Sequence, residues 1–167
     1  MNIMYWSSKS LPWLLPAIFL ATRRGSPLIL VSPWIEDIHL RVHSWRDLGF
    51  SDEHVLLSTF LQTLWLKYHI HPYLFVREDQ IRPSMDRRLY QLTQRIGSHI
   101  ELIGISNLHG KMVVTDSLIL RTSANLLKRS LYTNVETVAL IPNPFKDAIS
   151  YVRDYFARFG LAVPGLI

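Results

Sequence analysis

Hydrophobic positions along this chain switch between a two-residue and a three-to-four-residue period, and the switches predict its elements. Leu28-Ile29-Leu30-Val31-Ser32 is a short apolar run closed by Pro33, the pattern of a central strand buried on both faces. Before it, residues 11–24 read as a helix loosened by Pro12 and Pro16 and stopped by Gly25-Ser26-Pro27. Residues 36–47 are charged and read as a loop or surface helix. Val55, Leu56, Phe60, Leu64 and Trp65 recur at helical spacing, which predicts a helix from Ser51 to about Tyr68 with Ser51 or Asp52 as N-cap. Pro72 opens a second strand over 73–77. Ser84 is the predicted cap of a helix over 85–96 ended by Gly97, and residues 99–103 make a third strand.

Two further strands, 110–115 and 118–122, are joined by a tight Asp116-Ser117 turn. Residues 123–133 form a basic loop or short helix, and 135–141 form another strand. Phe145, Ile149, Val152, Phe156 and Phe159 lie on one stripe of a closing helix. Strands and helices alternating in this way predict an α/β layered fold. No repeat, linker or low-complexity tract divides the chain, so residues 1–167 are read as a single domain.

Composition adds two constraints. The 167 residues are 49% hydrophobic and suffice for one good core. A mean hydropathy of +0.13 fits either a large core or a further apolar face turned to a partner. The net charge of +5, from 18 basic and 13 acidic residues, favours polyanionic partners, nucleic acid first and an anionic membrane surface second. Without cysteine there is no disulfide framework, thiolate metal site or cysteine nucleophile. Residues 10–22 carry no charge but are shorter than the about 20 residues of a membrane span. Two prolines, Arg23-Arg24 directly after, and Phe19 at a position where a cleavage site needs a small residue favour a buried first helix over a signal peptide. A cytoplasmic protein without integral membrane association is the expectation.

Candidate chemistry is concentrated between residues 108 and 136. If 109–115 is extended, His109 and Lys111 share a face, an unusual core but a good anion site. The following strand returns antiparallel and brings Ser123 and Asn125 back to the same end. Glu136, opening another strand, is placed to accept the second N–H of the imidazole, which would fix its tautomer and leave the outward nitrogen nucleophilic. Histidine, lysine, asparagine and serine around one anion, with a carboxylate behind the histidine, outline a phosphoryl-transfer site.

This segment resembles the motif of the phospholipase D superfamily: His-x-Lys, four residues, Asp, then a Gly-Ser-x-Asn-like turn and a downstream Asn-x-Glu. His109, Lys111 and Asp116 match in identity and spacing, Ser123, Asn125 and Glu136 match the flanking positions, and Ser32-Pro33-Trp34 is similar to a common family feature. Thr122 departs from the pattern, standing where the family has glycine. The resemblance implies a phospholipase D-like layered fold, a mixed central sheet flanked by helices on both faces.

It also implies a mechanism without metal or other cofactor. One histidine attacks phosphorus, a second protonates the leaving oxygen, and lysines and asparagines hold the nonbridging oxygens. Asp116 is expected to fix the turn after its strand. The family uses two copies of the motif, whereas this chain holds one His-x-Lys, so a homodimer with the motif at its two-fold interface is implied. Small, basic, single-motif relatives resemble nucleases, some within bacterial restriction or antiviral defence systems. DNA or RNA is therefore the expected substrate, with additional protein subunits as further partners. The alternatives are a catalytically silent nucleic-acid-binding or scaffolding subunit and, more remotely, a phospholipid hydrolase.

Other residues admit blander readings. Glu36, His39 and His43 stand at helical spacing and could outline a zinc site, but without a further ligand a solvated helix face is preferred. His69 and His71 read as end-of-helix residues. Trp34, at the carboxyl end of the first strand, is either a base-stacking residue or core. Lys128 and Arg129, just after the Ser-x-Asn turn, are candidates for contact with a nucleic-acid backbone.

Overall fold

The strand predicted from the apolar run at 28–32 lies in the interior of a mixed sheet in the computed structural model. The structure describes residues 4–42, 48–50, 53–134, 136–161 and 163, with residues 4–8 by backbone alone. In chain order the elements are β1 (Met4–Ser7), α1 (Leu11–Leu20), β2 (Pro27–Val31), β3 (His39–Arg41), β4 (His54–Leu56), α2 (Leu57–Tyr68), β5 (His71–Arg77), α3 (Arg87–Ile96), β6 (Glu101–Ile105), β7 (Met112–Val114), β8 (Leu118–Thr122), α4 (Lys128–Tyr132), β9 (Thr137–Pro142) and α5 (Ala148–Ala157).

Seven strands pair in the order β1-β9-β8-β7-β2-β5-β6, and β3 with β4 forms a separate two-stranded ribbon. β2 pairs in parallel with β5 and antiparallel with β7, so it is bonded along both edges. Its side chains alternate between two cores. Leu28 and Leu30 join a cluster built with α1, α2 and α3, including Phe19, Phe60 and Leu92. Ile29 and Val31 face the other way, into Val152 and Phe156 of α5. Burial on both faces explains why this strand has no polar side chain among residues 28–31. Helices therefore cover both faces of a mixed sheet, as the sequence predicts.

Differences from the predicted elements have local causes. The 11–24 segment is helical only to Leu20, and its buried face includes Leu11, Leu15, Ile18 and Phe19. No helix among the described residues is long and apolar enough to cross a membrane. β1 was not predicted: four residues at the sheet edge, paired with β9, carry too little pattern to read. Residues 36–42 give no helix but an extended path into β3. Val55 and Leu56 belong to β4 and not to the helix, which begins at Leu57, and the proposed caps Ser51 and Asp52 lie outside the described residues. Asp86, not Ser84, caps α3, its carboxylate accepting from the backbone N–H of Arg88 at 2.9 Å.

α5 is shorter than its apolar stripe. Phe145 falls outside it because the helix starts only after its cap Asp147, Phe159 lies past its end at Ala157, and both are exposed. The Asp147 Oδ2 atom accepts from the Ser150 N–H at 2.9 Å and from the Ser150 hydroxyl. Burial pulls this carboxyl upward and is the largest single influence. Hydrogen bonds from Ser150 and Ile149 and the charge of Arg153 outweigh it together, so the folded group sits below the usual carboxylate value. The cap's contribution is thus complete above the ordinary aspartate value of about 3.9 and vanishes as pH falls through the lower folded value. Asp147→Ala is expected to lower stability by about 1 kcal/mol at pH 7. In urea titrations repeated down to acid pH, the gap between variant and wild type should close. A gap of constant size would show that the carboxylate charge is not what holds the cap.

Candidate active site

Three strand ends and two loops meet at one end of the sheet, where the carboxyl end of β2 lies beside the start of β7 and the end of β8. The chain enters this region through Ser106-Asn107, with Asn107 in the left-handed conformation at φ 56°. Asparagine tolerates that conformation better than most side chains, and here it turns the chain from β6 toward His109. Regular pairing of β7 starts only at Met112, so residues 109–111 are not part of the strand as predicted. Extension persists locally, since the Thr122 N–H donates to the Lys111 carbonyl at 3.1 Å.

Gly110 fits only because it lacks a side chain. A Cβ there would lie 2.8 Å from the Tyr155 hydroxyl of α5 and 3.3 Å from its ring. The helix on one face thus presses directly on the backbone between His109 and Lys111. Tyr155 is itself packed against Tyr151, Phe156 and Phe159. Burial pushes its phenol up, against the nearby charge of Arg121.

His109 is exposed, and its imidazole makes no hydrogen bond among the described residues. Lys111 is half-buried, with its ammonium 3.1 Å from the His109 carbonyl. Across the sheet end, Ser123 follows β8 and donates to the Glu136 Oε2 atom at 2.5 Å, while its oxygen accepts from the Thr137 N–H at 2.9 Å. Asn134 also donates to Glu136, at 3.4 Å. Asn125 holds a buried Oδ1 atom without a hydrogen-bond partner, and such orphans are uncommon enough to call for a reason. Ser32 anchors the loop from beneath, its hydroxyl accepting from the Leu126 N–H at 3.0 Å.

The structure therefore brings Lys111, Ser123, Asn125 and Glu136 to the sheet end that His109 also occupies. Two expected contacts are corrected. Glu136 does not accept from His109 within the chain, because Ser123 and Asn134 occupy its oxygens. Asp116 is not at this site: it lies beyond the opposite end of β7, where Oδ1 accepts from the Arg23 N–H at 2.9 Å and ties the turn to the end of α1. Thr122, in place of the family's glycine, spans the turn. Its hydroxyl donates to the Thr137 carbonyl at 2.8 Å and accepts from the Ala124 N–H at 3.0 Å.

Trp34 is half-buried, and the Arg77 guanidinium lies 4.2 Å from its ring centre. It is not plain core, and the guanidinium covers one face of its ring. Arg77 is held in turn by Asp79, its Nε donating at 2.7 Å, which keeps the Asp79 carboxyl below its usual range. Lys128 and Arg129 are exposed at the start of α4, with the Lys128 N–H bonded to the Glu36 carboxylate. Glu36 and His39 share no helix face, since His39 is on β3; His43 lies outside the described residues. His71 and His99 pack against Trp65 with ring centres 4.3 and 5.2 Å away. No cluster of three metal-ligating side chains occurs among the described residues.

An open cleft of about 590 Å³ runs from His109 past Ser106 and Asn107 to Arg77, Glu78 and Arg82. These residues were not singled out from the sequence. They lie just beyond the carboxyl ends of the parallel strands β5 and β6, and that position is the signal that could have found them. A second, more apolar hollow of about 460 Å³ adjoins the other side of His109, lined by Tyr155, Phe159 and Leu161.

No family model matches the chain, and no curated protein matches it. Solved structures do. Nuc, a phospholipase D family member from Salmonella typhimurium, is similar with a TM-score of 0.65 at 16% identity, over 95% of this chain and 94% of that one. NucT from Helicobacter pylori gives a TM-score of 0.58 at 9% identity, over 97% and 98%. A phosphatidylserine synthase from Haemophilus influenzae gives 0.60 at 13% identity, over 98% of this chain but only 38% of that longer one. Together with the order of strands and helices, these likenesses show that this chain has the fold shared by Nuc, a phospholipase D family member, and NucT.

Proposed function

We propose that the chain is a phosphodiesterase acting on DNA or RNA, with its active site completed by a second copy. The observation that carries this reading is an exposed imidazole without a hydrogen bond among the described residues, at a sheet end that also gathers Lys111, Ser123 and Asn125. Histidine without an internal partner is free to act as nucleophile or acid. Further support comes from the fold shared with Nuc and NucT, and with a yeast tyrosyl-DNA phosphodiesterase at a TM-score of 0.50 and 15% identity, over 37% of that chain.

In this mechanism one His109 nitrogen attacks phosphorus and the P–N bond forms as the bond to the leaving oxygen breaks. His109 of the second copy gives its proton to that oxygen. Water then attacks the phosphohistidine, passing a proton back to the second imidazole, and the P–N bond breaks. Lys111 and the Asn125 amide hold the nonbridging oxygens as charge shifts, so the protein's own cations supply the electrostatic stabilisation. Glu136 acts through Ser123 as a positioning residue. Asp116 takes no part in the chemistry. A place in bacterial defence, suggested by the family's single-motif members, belongs to the same reading.

The test is cleavage of single-stranded and duplex oligonucleotides by purified protein in EDTA. Chelator-resistant cleavage that disappears with Lys111→Ala is expected. Salt-sensitive binding without any cleavage would instead establish a silent binding subunit, and hydrolysis confined to phospholipid vesicles would establish a lipase.

A further inference from the structure

A second feature lies outside the motif, on the side of the molecule where α4, β3 and the start of α1 come together. The path begins at the candidate site. Leu126, directly after Asn125, bridges to Ile35, and Glu36 accepts from the Lys128 N–H. Four residues further along the helix, the Tyr132 hydroxyl donates to the His39 carbonyl of β3 at 2.7 Å. Two residues along β3, the Arg41 guanidinium lies 4.8 Å from the centre of the Trp13 ring. The turn at Ser8–Ser10, which carries Lys9, rests against α4 and leads into α1. Arg41 also faces Tyr132: burial pushes that phenol up and the Arg41 charge draws it down.

The result is a continuous run of Lys128, Arg129, Tyr132, Arg41, Trp13 and Lys9. Trp13 is 41% exposed and Tyr132 36% exposed, so two large rings reach solvent between four cations. Among the described acidic residues beside this run, Glu36 is occupied by the Lys128 N–H and Asp37 by Ser58 and Arg95, while Glu53 lies at the far edge beside His54. A core explanation fails for rings this exposed. The cations also lack acidic partners: none of these four joins an ion pair among the described residues.

We propose that this surface is an accessory track for single-stranded nucleic acid, in which Trp13 and Tyr132 stack on unpaired bases while Lys9, Arg41, Lys128 and Arg129 follow the phosphates. Alternating rings and cations suit a single strand because every unpaired base offers a π-face, whereas duplex bases are stacked away. An anionic membrane is less well matched. Tyr132 has its hydroxyl committed to a backbone carbonyl and Trp13 is overlain by a guanidinium, so neither projects as an apolar wedge. The inference deepens the proposed function by choosing the single-stranded form of its substrate, and it does not depend on turnover.

Binding is therefore measured by fluorescence anisotropy in the His109→Ala background, using labelled oligodeoxythymidine and an abasic oligomer of equal length. Trp13→Ala is expected to weaken oligodeoxythymidine binding about tenfold and to leave abasic binding nearly unchanged. Lys9→Glu, a fully superficial change, is expected to weaken both and to reduce the slope of log affinity on log salt by about one or more. Far-UV circular dichroism checks that both variants fold. Unchanged oligonucleotide binding in both variants overturns the track. Binding that moves to phosphatidylserine vesicles and is absent with oligonucleotide overturns it also. The outcome separates from that of the catalytic proposal: cleavage indifferent to His109→Ala removes the proposed chemistry and leaves the track, whereas His109-dependent cleavage with unaffected binding in the variants does the reverse.

Discussion

Mixing wild-type subunits with the His109→Ala variant is expected to lower activity with the square of the wild-type fraction. A pure His109→Ala protein should be slower by at least about four orders of magnitude, because one substitution removes both nucleophile and acid from a shared site. Nothing in the described chain replaces the second imidazole. His39, His54, His69, His71 and His99 all belong to other elements, and two of them pack on Trp65. After subunit exchange, an equal mixture retains about one quarter of wild-type activity when each site draws on two subunits, and about one half when each subunit works alone. The measurement is a titration of variant into wild type, with exchange verified by tagged subunits. A straight line through the titration ends the shared-site mechanism. A curve that follows the square supports it, and the unpartnered His109 imidazole then has its structural reason.

Much of the fold was legible because its core strands write their burial into the sequence. β2 has one apolar residue after another since it faces α1–α3 with Leu28 and Leu30 and α5 with Ile29 and Val31. α3 shows the opposite extreme, with Leu89, Leu92 and Ile96 buried on an otherwise polar helix. What failed to show were elements fixed by partners distant in sequence. β3 and β4 are three residues each and exist through their mutual pairing, which no period of their own reveals. β3 falls in the charged segment that reads as a loop or surface helix, whereas Val55 and Leu56 of β4 fit the period of the helix that follows them. The closing helix was over-extended for a related reason. Phe145 and Phe159 continue the apolar stripe, but the capping carboxylate of Asp147 starts the helix only after Phe145 and the helix ends at Ala157, so exposed rings outside it keep the period without the structure.

The site was legible where spacing along β7 and β8 alone dictates position. Antiparallel pairing places Met112 opposite Arg121, so Lys111 and Ser123 had to meet near one sheet end. The same arithmetic sends Asp116 to the other end, where it grips the Arg23 backbone. Its match to the motif is thus structural, holding α1 to the turn, and a shared pattern of letters does not imply a shared location. The placement of Glu136 could not be settled this way. A serine and an asparagine compete with the histidine for its oxygens, and only three-dimensional proximity decides. Arg77 ends β5 and Trp34 follows β2 in the loop beyond it, and their stacking has no trace in either local sequence.

Gly110→Ala is expected to cost about a hundredfold in rate while leaving the chain folded. The added methyl would sit 2.8 Å from the Tyr155 hydroxyl, closer than real Cβ contacts, and a tight 3.3 Å from the ring. Either the ring or the 109–111 backbone must give way. The ring packs against Tyr151, Phe156 and Phe159, so much of the displacement falls on the backbone that carries His109 and Lys111. A misplacement near 1 Å at reacting groups is enough to cost about a hundredfold, whereas overpacking at a single site lowers stability by about 1–3 kcal/mol. Tyr155→Phe removes the nearer atom and leaves the ring carbon, so adding it to Gly110→Ala should restore a large part of the rate. The effect should appear chiefly in kcat, because the displaced groups act in the transition state and the cleft beyond Ser106 is untouched. If Gly110→Ala retains full activity, or if Tyr155→Phe brings nothing back, the helix does not set the position of His109. In that event the closeness of α5 to this turn would concern packing alone.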